Sequence, residues 1–469
     1  MRALLIDFGS TFTKAVVADL AEERVVSSAK APSTVDTDIR HGLASALEKL
    51  GLTLGDLSDG PFEYKLACSS AAGGLKMVVV GLVPKYSAEA GRRAALTAGA
   101  KVIGVYSFEL TKSEVASIEA QEPDIVLLTG GTDGGDKKTI THNARMLAAS
   151  GLKCPILVAG NKEARDDVVE ILSSAGKEVY WTENIMPELG KLNVRPANEK
   201  IREIFLKRII QAKGLDKVTG LLHILMPTPS ASLRAAELLA KGTKSLGGMG
   251  ELLAVEIGGA TTNVYSVAEG KSKLPGVVEK GLEEPYVKRT VEGDLGVRVS
   301  AESLMEAAGL ERILSKMREY STDVRPEAVE EHIRMLRRQT SYLPRTYFDW
   351  LVDEALARSA VELGVERHVG RLEEIPTPMG RFYVLTGKDL TEVETVVGTG
   401  GPIVNSKRPW KVLGEAVYDE SRPFVLKPKN PELYVDRDYV FWAMGLLSGE
   451  EPDKALKILL DSVSPVRRG

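Results

Sequence analysis

The chain is poor in cysteine. Cys68 and Cys154 are the only two in 469 residues, and no C-x-x-C pair exists. A disulfide framework and a zinc or iron–sulfur site within one chain are therefore excluded, and two buried free thiols of a reducing compartment are expected. There are five histidines, His41, His142, His223, His332 and His368. None has a cysteine or histidine neighbour, so none reads as a ligand, and His332 and His368, in charged helical surroundings, are expected at the surface. No apolar run reaches the roughly 18 residues of a membrane span. No basic run occurs and the formal charge is −4, which argues against nucleic acid or an anionic membrane as partner. The N-terminus enters a strand at once, so no signal peptide is expected and the location is expected to be cytoplasmic. A P-loop is also missing. Gly387-Lys388 has Phe382, and Gly270-Lys271-Ser272 has Tyr265, where a Walker A motif needs glycine.

What the chain does have is a repeated hairpin. Leu4–Ala18 reads LLIDFGSTFTKAVVA. The apolar run Ala3–Ile6 predicts a buried strand ending on Asp7, and Phe12–Ala18 predicts a second strand, with Gly9, Ser10 and Thr11 as the tip. Such a tip can aim N–H groups and hydroxyls at phosphate, and Asp7 can hold Mg²⁺ through water. Leu253–Val267 reads LAVEIGGATTNVYSV. A shift of 249 residues places Leu4 on Leu253, Asp7 on Glu256, Gly9 on Gly258 and Thr13 on Thr262. An internal repeat of this kind implies two similar domains with a phosphate clamped between their tips.

A third element, Thr395–Asn405 (TVVGTGGPIVN), runs from a strand into the Gly400–Gly401 turn. The three in this order resemble the phosphate-1, phosphate-2 and adenosine motifs of the actin, sugar-kinase and heat-shock ATPase superfamily. The resemblance implies an α/β fold of two actin-like (ribonuclease H-like) ATPase domains facing a nucleotide cleft. Its cofactors would be ATP and Mg²⁺. Asp7 and Glu256 would act at the metal, Gly9, Ser10, Thr11, Gly258, Gly259, Thr261 and Thr262 at the phosphates, and Gly400 and Gly401 at the adenosine. The sequence departs from the motif in two places. The usual Asp of phosphate-2 is Glu256, and the usual Asp seven residues on is Asn263. Phosphoryl transfer depends on positioning and charge neutralisation, so slow Mg-dependent ATPase activity at most is expected.

A narrower resemblance rests on Ala67–Leu75 (ACSSAAGGL), Arg92–Val102 (RRAALTAGAKV), Leu127–Gly135 (LLTGGTDGG), Thr290–Arg298 (TVEGDLGVR) and Gly387–Gly401 (GKDLTEVETVVGTGG). Together with the three motifs these are similar to the GlmL/MutL accessory proteins of adenosylcobalamin-dependent glutamate mutase (methylaspartate mutase). That family implies a reactivating or assembly factor, chaperone-like, whose partners are cobalamin-dependent mutase subunits. The alternatives are a small-molecule kinase, with Asp133 of TGGTDGG as general base, and a filament-forming actin relative. An iron–sulfur activase of an acyl-CoA dehydratase shares the fold, but the missing cysteine pairs speak against it.

The length predicts about three domains or subdomains. Residues 1–215 are expected as the first ATPase domain with an α/β insert, 216–435 as the second with a helical insert, and 436–469 as C-terminal helices returning to the first. Along the chain the patterns predict helices at Asp38–Leu50, Ser87–Ala98 (Ser87 as N-cap), Asn143–Ala149, Lys162–Ala175, Pro196–Ala212, Ser230–Lys241, Ala301–Ala307, Glu311–Glu319, Pro326–Arg338, Tyr347–Leu363, Asp436–Leu447 and Pro452–Val463. Further strands are predicted at Ala21–Ser28, Met77–Leu82, Lys101–Phe108, Asp124–Leu128, Pro155–Ala159, Val218–Leu225 and Pro275–Leu282. Arg289–Arg298 reads as a charged loop. Thr129–Asp136 (TGGTDGGD), at the carboxyl end of a strand in an alternating α/β stretch, is a second candidate polar site.

Overall fold

The computed structural model describes residues 1–34, 37–70, 75–210, 222–377 and 380–466. The expected boundary near residue 215, part of the strand expected at 218–225 and the AAGG portion of ACSSAAGGL lie outside them. The chain forms two compact units. One comprises Met1–Ala71, Lys213–Lys280 and Glu284–Gly469; the other comprises Ala72–Ala212 with Gly281–Glu283.

The first unit contains the repeated hairpin twice, each at the heart of a sheet. Arg2–Phe8 pairs antiparallel with Phe12–Asp19, which pairs antiparallel with Arg24–Pro32. On its other side Arg2–Phe8 runs parallel to Tyr64–Ser69, and His223–Pro227 follows in parallel. Leu252–Ile257 pairs antiparallel with Thr262–Val267, which pairs antiparallel with Val287–Glu292. Its other neighbour is Thr395–Thr399, in parallel, followed by Glu432–Asp436. The two sheets thus share a five-stranded plan, a three-stranded antiparallel meander with two parallel strands added beside its first strand, and the second sheet carries a sixth strand, Val463–Pro465, antiparallel to Glu432–Asp436. This is the two-domain α/β plan of the actin-like ATPases. The central strands are buried along nearly their whole length, as expected when helices cover both faces.

Several sequence expectations need correction here. Val287–Glu292 is a strand, not part of a charged loop. Its charges hid the alternation, because Arg289 is buried, donating to Asn263 Oδ1 at 2.8 Å. Asp436 ends a strand instead of opening a helix. The helix begins at Phe441, and the Asp436 carboxylate accepts the Val440 and Phe441 N–H groups at 3.1 and 2.9 Å. That helix, Phe441–Leu447, is buried throughout and packs on Thr228–Lys241. A Cβ at Gly445 would lie 1.8 Å from the Ala231 carbonyl oxygen, so only glycine permits this approach.

The helical block comprises Ala301–Ala308, Leu310–Arg318, Pro326–Arg338 and Tyr347–His368. The last helix runs five residues past its expected end. His368, expected at the surface, is fully buried, with Nδ1 at 2.9 Å from Thr290 Oγ1 and Nε2 at 2.8 Å from Ser266 Oγ. Two hydroxyls satisfy the ring, so burial needs no charge partner; burial pushes its pKa well down and keeps it neutral. Lys388 is also fully buried, donating to the Pro285 and Tyr286 carbonyls at 3.0 and 2.9 Å.

The second unit is a parallel sheet. Its strands lie in the order Lys101–Ser107, Lys76–Gly81, Ile125–Leu128, Ile156–Val158, Val179–Trp181. Alternate residues feed two cores, Met77 and Val79 into one, Val78 and Val80 into the other. Its third helix in chain order begins at Lys138, five residues earlier than expected, and Lys112–Ala120 is a helix that the pattern missed, although Thr111 and Glu114 form a complete capping box. Ser87 is not an N-cap. The helix starts at Glu89, and Ser87 Oγ accepts from the Leu82 and Val83 N–H groups at 2.9 and 3.0 Å.

Candidate functional site

Asp7 ends the first strand of the first hairpin and is 1% exposed. The register sets Lys14 directly across from it, and Lys14 Nζ lies 2.7 Å from Asp7 Oδ2. Thr228 Oγ1 donates to Asp7 Oδ1 at 2.6 Å, and Cys68 Sγ lies 3.7 Å from the same oxygen. Burial alone would lower the Lys14 pKa, but the Asp7 carboxylate and Tyr439 outweigh it and hold the ammonium above its ordinary value. Burial, then the Asp7 charge, push the Cys68 thiol well up, so it stays protonated. The Lys14 ammonium also sits 4.6 Å from the Tyr439 ring centre and 6.0 Å from that of Trp442.

The second hairpin repeats the register, Glu256 facing Asn263 where Asp7 faces Lys14. The half-buried Glu256 accepts the hydroxyl of fully buried Tyr265 at 2.6 Å. Burial raises its pKa, with the Tyr265 bond and Lys14 acting the other way. Asn263 accepts from Arg289. The position that carries an acid in the superfamily motif is thus neutral and already engaged.

Both tips close with one turn. Gly9 N–H donates to the Phe12 carbonyl at 3.1 Å, and Gly258 N–H, its repeat partner, to the Thr261 carbonyl at 2.8 Å. The tips meet: a Cβ at Gly259 would lie 2.7 Å from Thr11 Oγ1. That Thr11 hydroxyl is buried without a hydrogen-bond partner. Among the described residues, the N–H groups of Ser10, Thr11, Gly259 and Ala260 donate to no protein acceptor. Thr262 is different from its sequence neighbours, because its hydroxyl turns inward to the Leu295 carbonyl at 2.7 Å. Behind the second tip, Val297 and Arg298 N–H donate to the Gly258 and Gly259 carbonyls at 3.2 and 2.9 Å.

In the third motif Gly400 has φ +90°, and a Cβ there would meet the Ile257 carbonyl oxygen at 2.2 Å. Glycine alone allows this turn to touch the end of the second hairpin's first strand. Gly401 opens a one-turn helix, Gly401–Val404. Thr399, just before Gly400, donates to Asp436 Oδ2 at 2.9 Å.

The loop Thr129–Asp136 lies in the second unit. Its Asp133 carboxylate accepts from Lys162 N–H at 3.1 Å and Asn184 Nδ2 at 2.9 Å. Asp133 therefore ties its loop to the segments at Lys162 and Asn184.

An orphaned hydroxyl and unpaired N–H groups where the tips meet, with the Lys14 ammonium on the strand that follows the first tip, form a donor set suited to a polyphosphate. No group of three or more Asp, Glu, His or Cys side chains able to hold a metal ion occurs among the described residues.

A family profile described as MutL protein matches residues 3–463. The chain belongs to the MutL family. Protein MutL of Clostridium tetanomorphum is 49% identical to this MutL-family chain over 459 residues, covering 97% of this chain and 98% of that one. Looser overlaps occur with solved structures. One is the activator of the 2-hydroxyisocaproyl-CoA dehydratase from Clostridium difficile with bound ADPNP, at 11% identity and TM-score 0.30, covering 100% of both chains. Xylulose kinase from Rhodospirillum rubrum, at 12% and 0.31, covers 100% of this chain and 93% of its own. A glycerol dehydratase reactivase, at 10% and 0.31, covers 95% and 99%. The fold assignment rests on the repeated sheet topology, and the family on the first two matches. No helix of the described residues is long and apolar enough to cross a membrane.

Sequence reasoning did not find Lys14, Thr228 or Tyr439. Lys14 had a signal, since a tight hairpin places it opposite Asp7. Thr228 comes from a distant segment and had none, and Tyr439 lies in the C-terminal stretch expected to return to the first domain, with nothing to single it out there.

Gly259→Val sets a side chain against Thr11 Oγ1, 2.7 Å from where its Cβ would lie, so the tips must part to admit it. If the site takes Mg-ATP, the variant is expected to lose whatever upward shift of the melting temperature millimolar Mg-ATP gives the wild type, because the tips are wedged apart. A melting series with and without Mg-ATP checks this.

Proposed function

We propose that this MutL-family chain is an ATP-binding, nucleotide-switched accessory protein of a cobalamin-dependent mutase of the glutamate mutase type, which opens its client so that damaged cofactor leaves or intact cofactor enters. The observation that carries the reading is the meeting of the two hairpin tips around the unpaired Thr11 hydroxyl. The mutase as client comes from the family resemblance.

Thr11 Oγ1, the N–H groups of Ser10, Thr11, Gly259 and Ala260, and the Lys14 ammonium hold the phosphates, with Asp7 fixing Lys14. Asp7 and Glu256 face Mg²⁺ through water, and Gly400–Gly401 receives the adenosine. Bound Mg-ATP would supply a polyphosphate for both tips to grip at once, and its slow hydrolysis by water to ADP and phosphate would release that grip. Asp7, paired with Lys14 and Thr228, Glu256, held by Tyr265, and the neutral Asn263 leave no free acid to speed hydrolysis, which suits a switch. Contacts made only when both tips close give a nucleotide different affinity for closed and open states. Moving such an equilibrium from 1:99 to 99:1 takes about 5.5 kcal/mol of differential binding. Each hairpin-bearing sheet is one lobe, and the C-terminal segment touches both: Lys457 pairs with Glu23 at 2.8 Å and Tyr64 with Glu451 at 3.3 Å, while Val463–Pro465 pairs with Glu432–Asp436 of the second sheet.

The test uses a mutase inactivated with bound cobalamin, to which this protein, Mg-ATP and fresh adenosylcobalamin are added. Recovery of activity that requires ATP is expected. Recovery equal without ATP, or absent with it, rejects the switch. Transfer of the γ-phosphate to a small metabolite would establish the kinase reading instead.

A further inference from the structure

The turn between Asp436 and Phe441 is strained and tightly held. Tyr439 has φ +55°, a left-handed conformation that costs free energy in any residue but glycine and persists only where the surroundings enforce it. Five bonds enforce it. Tyr439 N–H donates to the Asp436 carbonyl at 3.2 Å. Val440 and Phe441 N–H donate to the Asp436 carboxylate at 3.1 and 2.9 Å. Ser462 Oγ donates to that carboxylate at 2.7 Å and accepts from Asp438 N–H at 3.1 Å. Asp436 is fully buried and also takes the Thr399 hydroxyl. The product of this turn is a tyrosine ring laid against Lys14, 425 residues away in the chain, at 4.6 Å.

We infer that Tyr439 is a positioning residue for the Lys14 ammonium, and that the path Thr399–Asp436–Tyr439–Lys14 ties the third motif to the first hairpin. The inference rests on the nucleotide reading above and extends it to how the two ends of the ligand are coupled. Lys14 has a carboxylate, Asp7, and two aromatic faces, Tyr439 and Trp442, as close neighbours. A lysine side chain has many rotamers, and fixing it at the moment of binding weakens the complex. The Tyr439 ring removes that freedom beforehand through cation–π attraction and contact. Thr399 immediately precedes the Gly400 turn, so a base seated there bears on Asp436, and through the turn on Lys14.

The experiment is calorimetric titration of the whole protein with Mg-ATP, Mg-ADP and adenosine, for wild type, Tyr439→Phe, Tyr439→Ala, Lys14→Met and the Lys14→Met/Tyr439→Ala double variant. Tyr439→Ala is expected to weaken Mg-ATP and Mg-ADP about tenfold, within the range of a partly buried cation–π contact, and to leave adenosine unchanged. Tyr439→Phe keeps the ring and should stay within about threefold of wild type. Adding Tyr439→Ala to Lys14→Met should cost nothing further, since the ring acts through the lysine. Where Tyr439→Ala does not fold, Tyr439→Leu reads the same split. Wild-type affinity in the ring-less variants beside a weak Lys14→Met overturns the inference, as does equal weakening of adenosine. A wild-type protein that binds none of the three ligands rejects the nucleotide reading itself and this inference with it.

Discussion

Asp7→Ala is expected to destabilise the protein by about 3–5 kcal/mol, the usual cost of removing one partner from a buried ion pair. Asp7 is 1% exposed and the Lys14 side chain 17% exposed, with 2.7 Å between the charges. The substitution leaves a buried ammonium beside the Tyr439 and Trp442 rings, with Glu256 as its remaining nearby acid, and it leaves the Thr228 hydroxyl without its acceptor. Lys14→Met alone leaves a buried carboxylate and should cost a similar amount. The double variant Asp7→Ala/Lys14→Met removes both charges and should recover most of the loss, because two buried charges are often replaced by apolar groups at little cost. Urea unfolding of the four proteins closes the cycle. A loss below about 1 kcal/mol for Asp7→Ala, the range of an exposed pair, would show that the pair is solvated. Loss of nucleotide binding in Asp7→Ala is informative only where the variant is shown to be folded.

The hairpins were readable because their signals are local. An apolar run, an acid and a small-residue tip recur at fixed spacing, and the matched Gly9 and Gly258 turns show that the spacing carries geometry. The one-to-one shift of register, Asp7 with Lys14 and Glu256 with Asn263, follows from the same repeat. What stayed hidden is non-local or charged. Tyr439 and Thr228 reach the first hairpin only through tertiary packing, which no periodicity records. Arg289 and His368 look like surface residues by type, yet side-chain partners 26 and 78 residues distant satisfy them inside the fold. Val287–Glu292 was lost for that reason, since a strand whose inward residue is an arginine does not alternate. Pro326–Arg338 came out with its expected ends because proline opens it and its apolar stripe is regular.

Lys388 makes the stability of the protein depend on pH on the alkaline side of neutrality. Its side chain is fully buried against the Pro285 and Tyr286 carbonyls. Burial, with the nearby Lys288 charge, lowers its pKa to about 7, while Glu284 and Glu251 oppose the shift. In the unfolded chain the ordinary value near 10.4 applies. Between about pH 7 and 10 the unfolded state therefore binds a proton that the folded state does not, and stability rises with pH across that window. Below about pH 7 both states are protonated and the dependence vanishes. Integrated from pH 7 to 9.5, the contribution is about 2–3 kcal/mol, at roughly 1.4 kcal/mol per unit less the part still protonated near 7. Lys388→Met removes the titrating group. Its absolute stability also reflects two carbonyls left without a donor, so the comparison between pH values is the clean one. The gap in unfolding free energy, wild type minus Lys388→Met, should grow by about 2–3 kcal/mol between pH 7 and 9.5 in urea titrations. A gap that stays constant would mean that Lys388 keeps its proton inside the folded protein throughout that range.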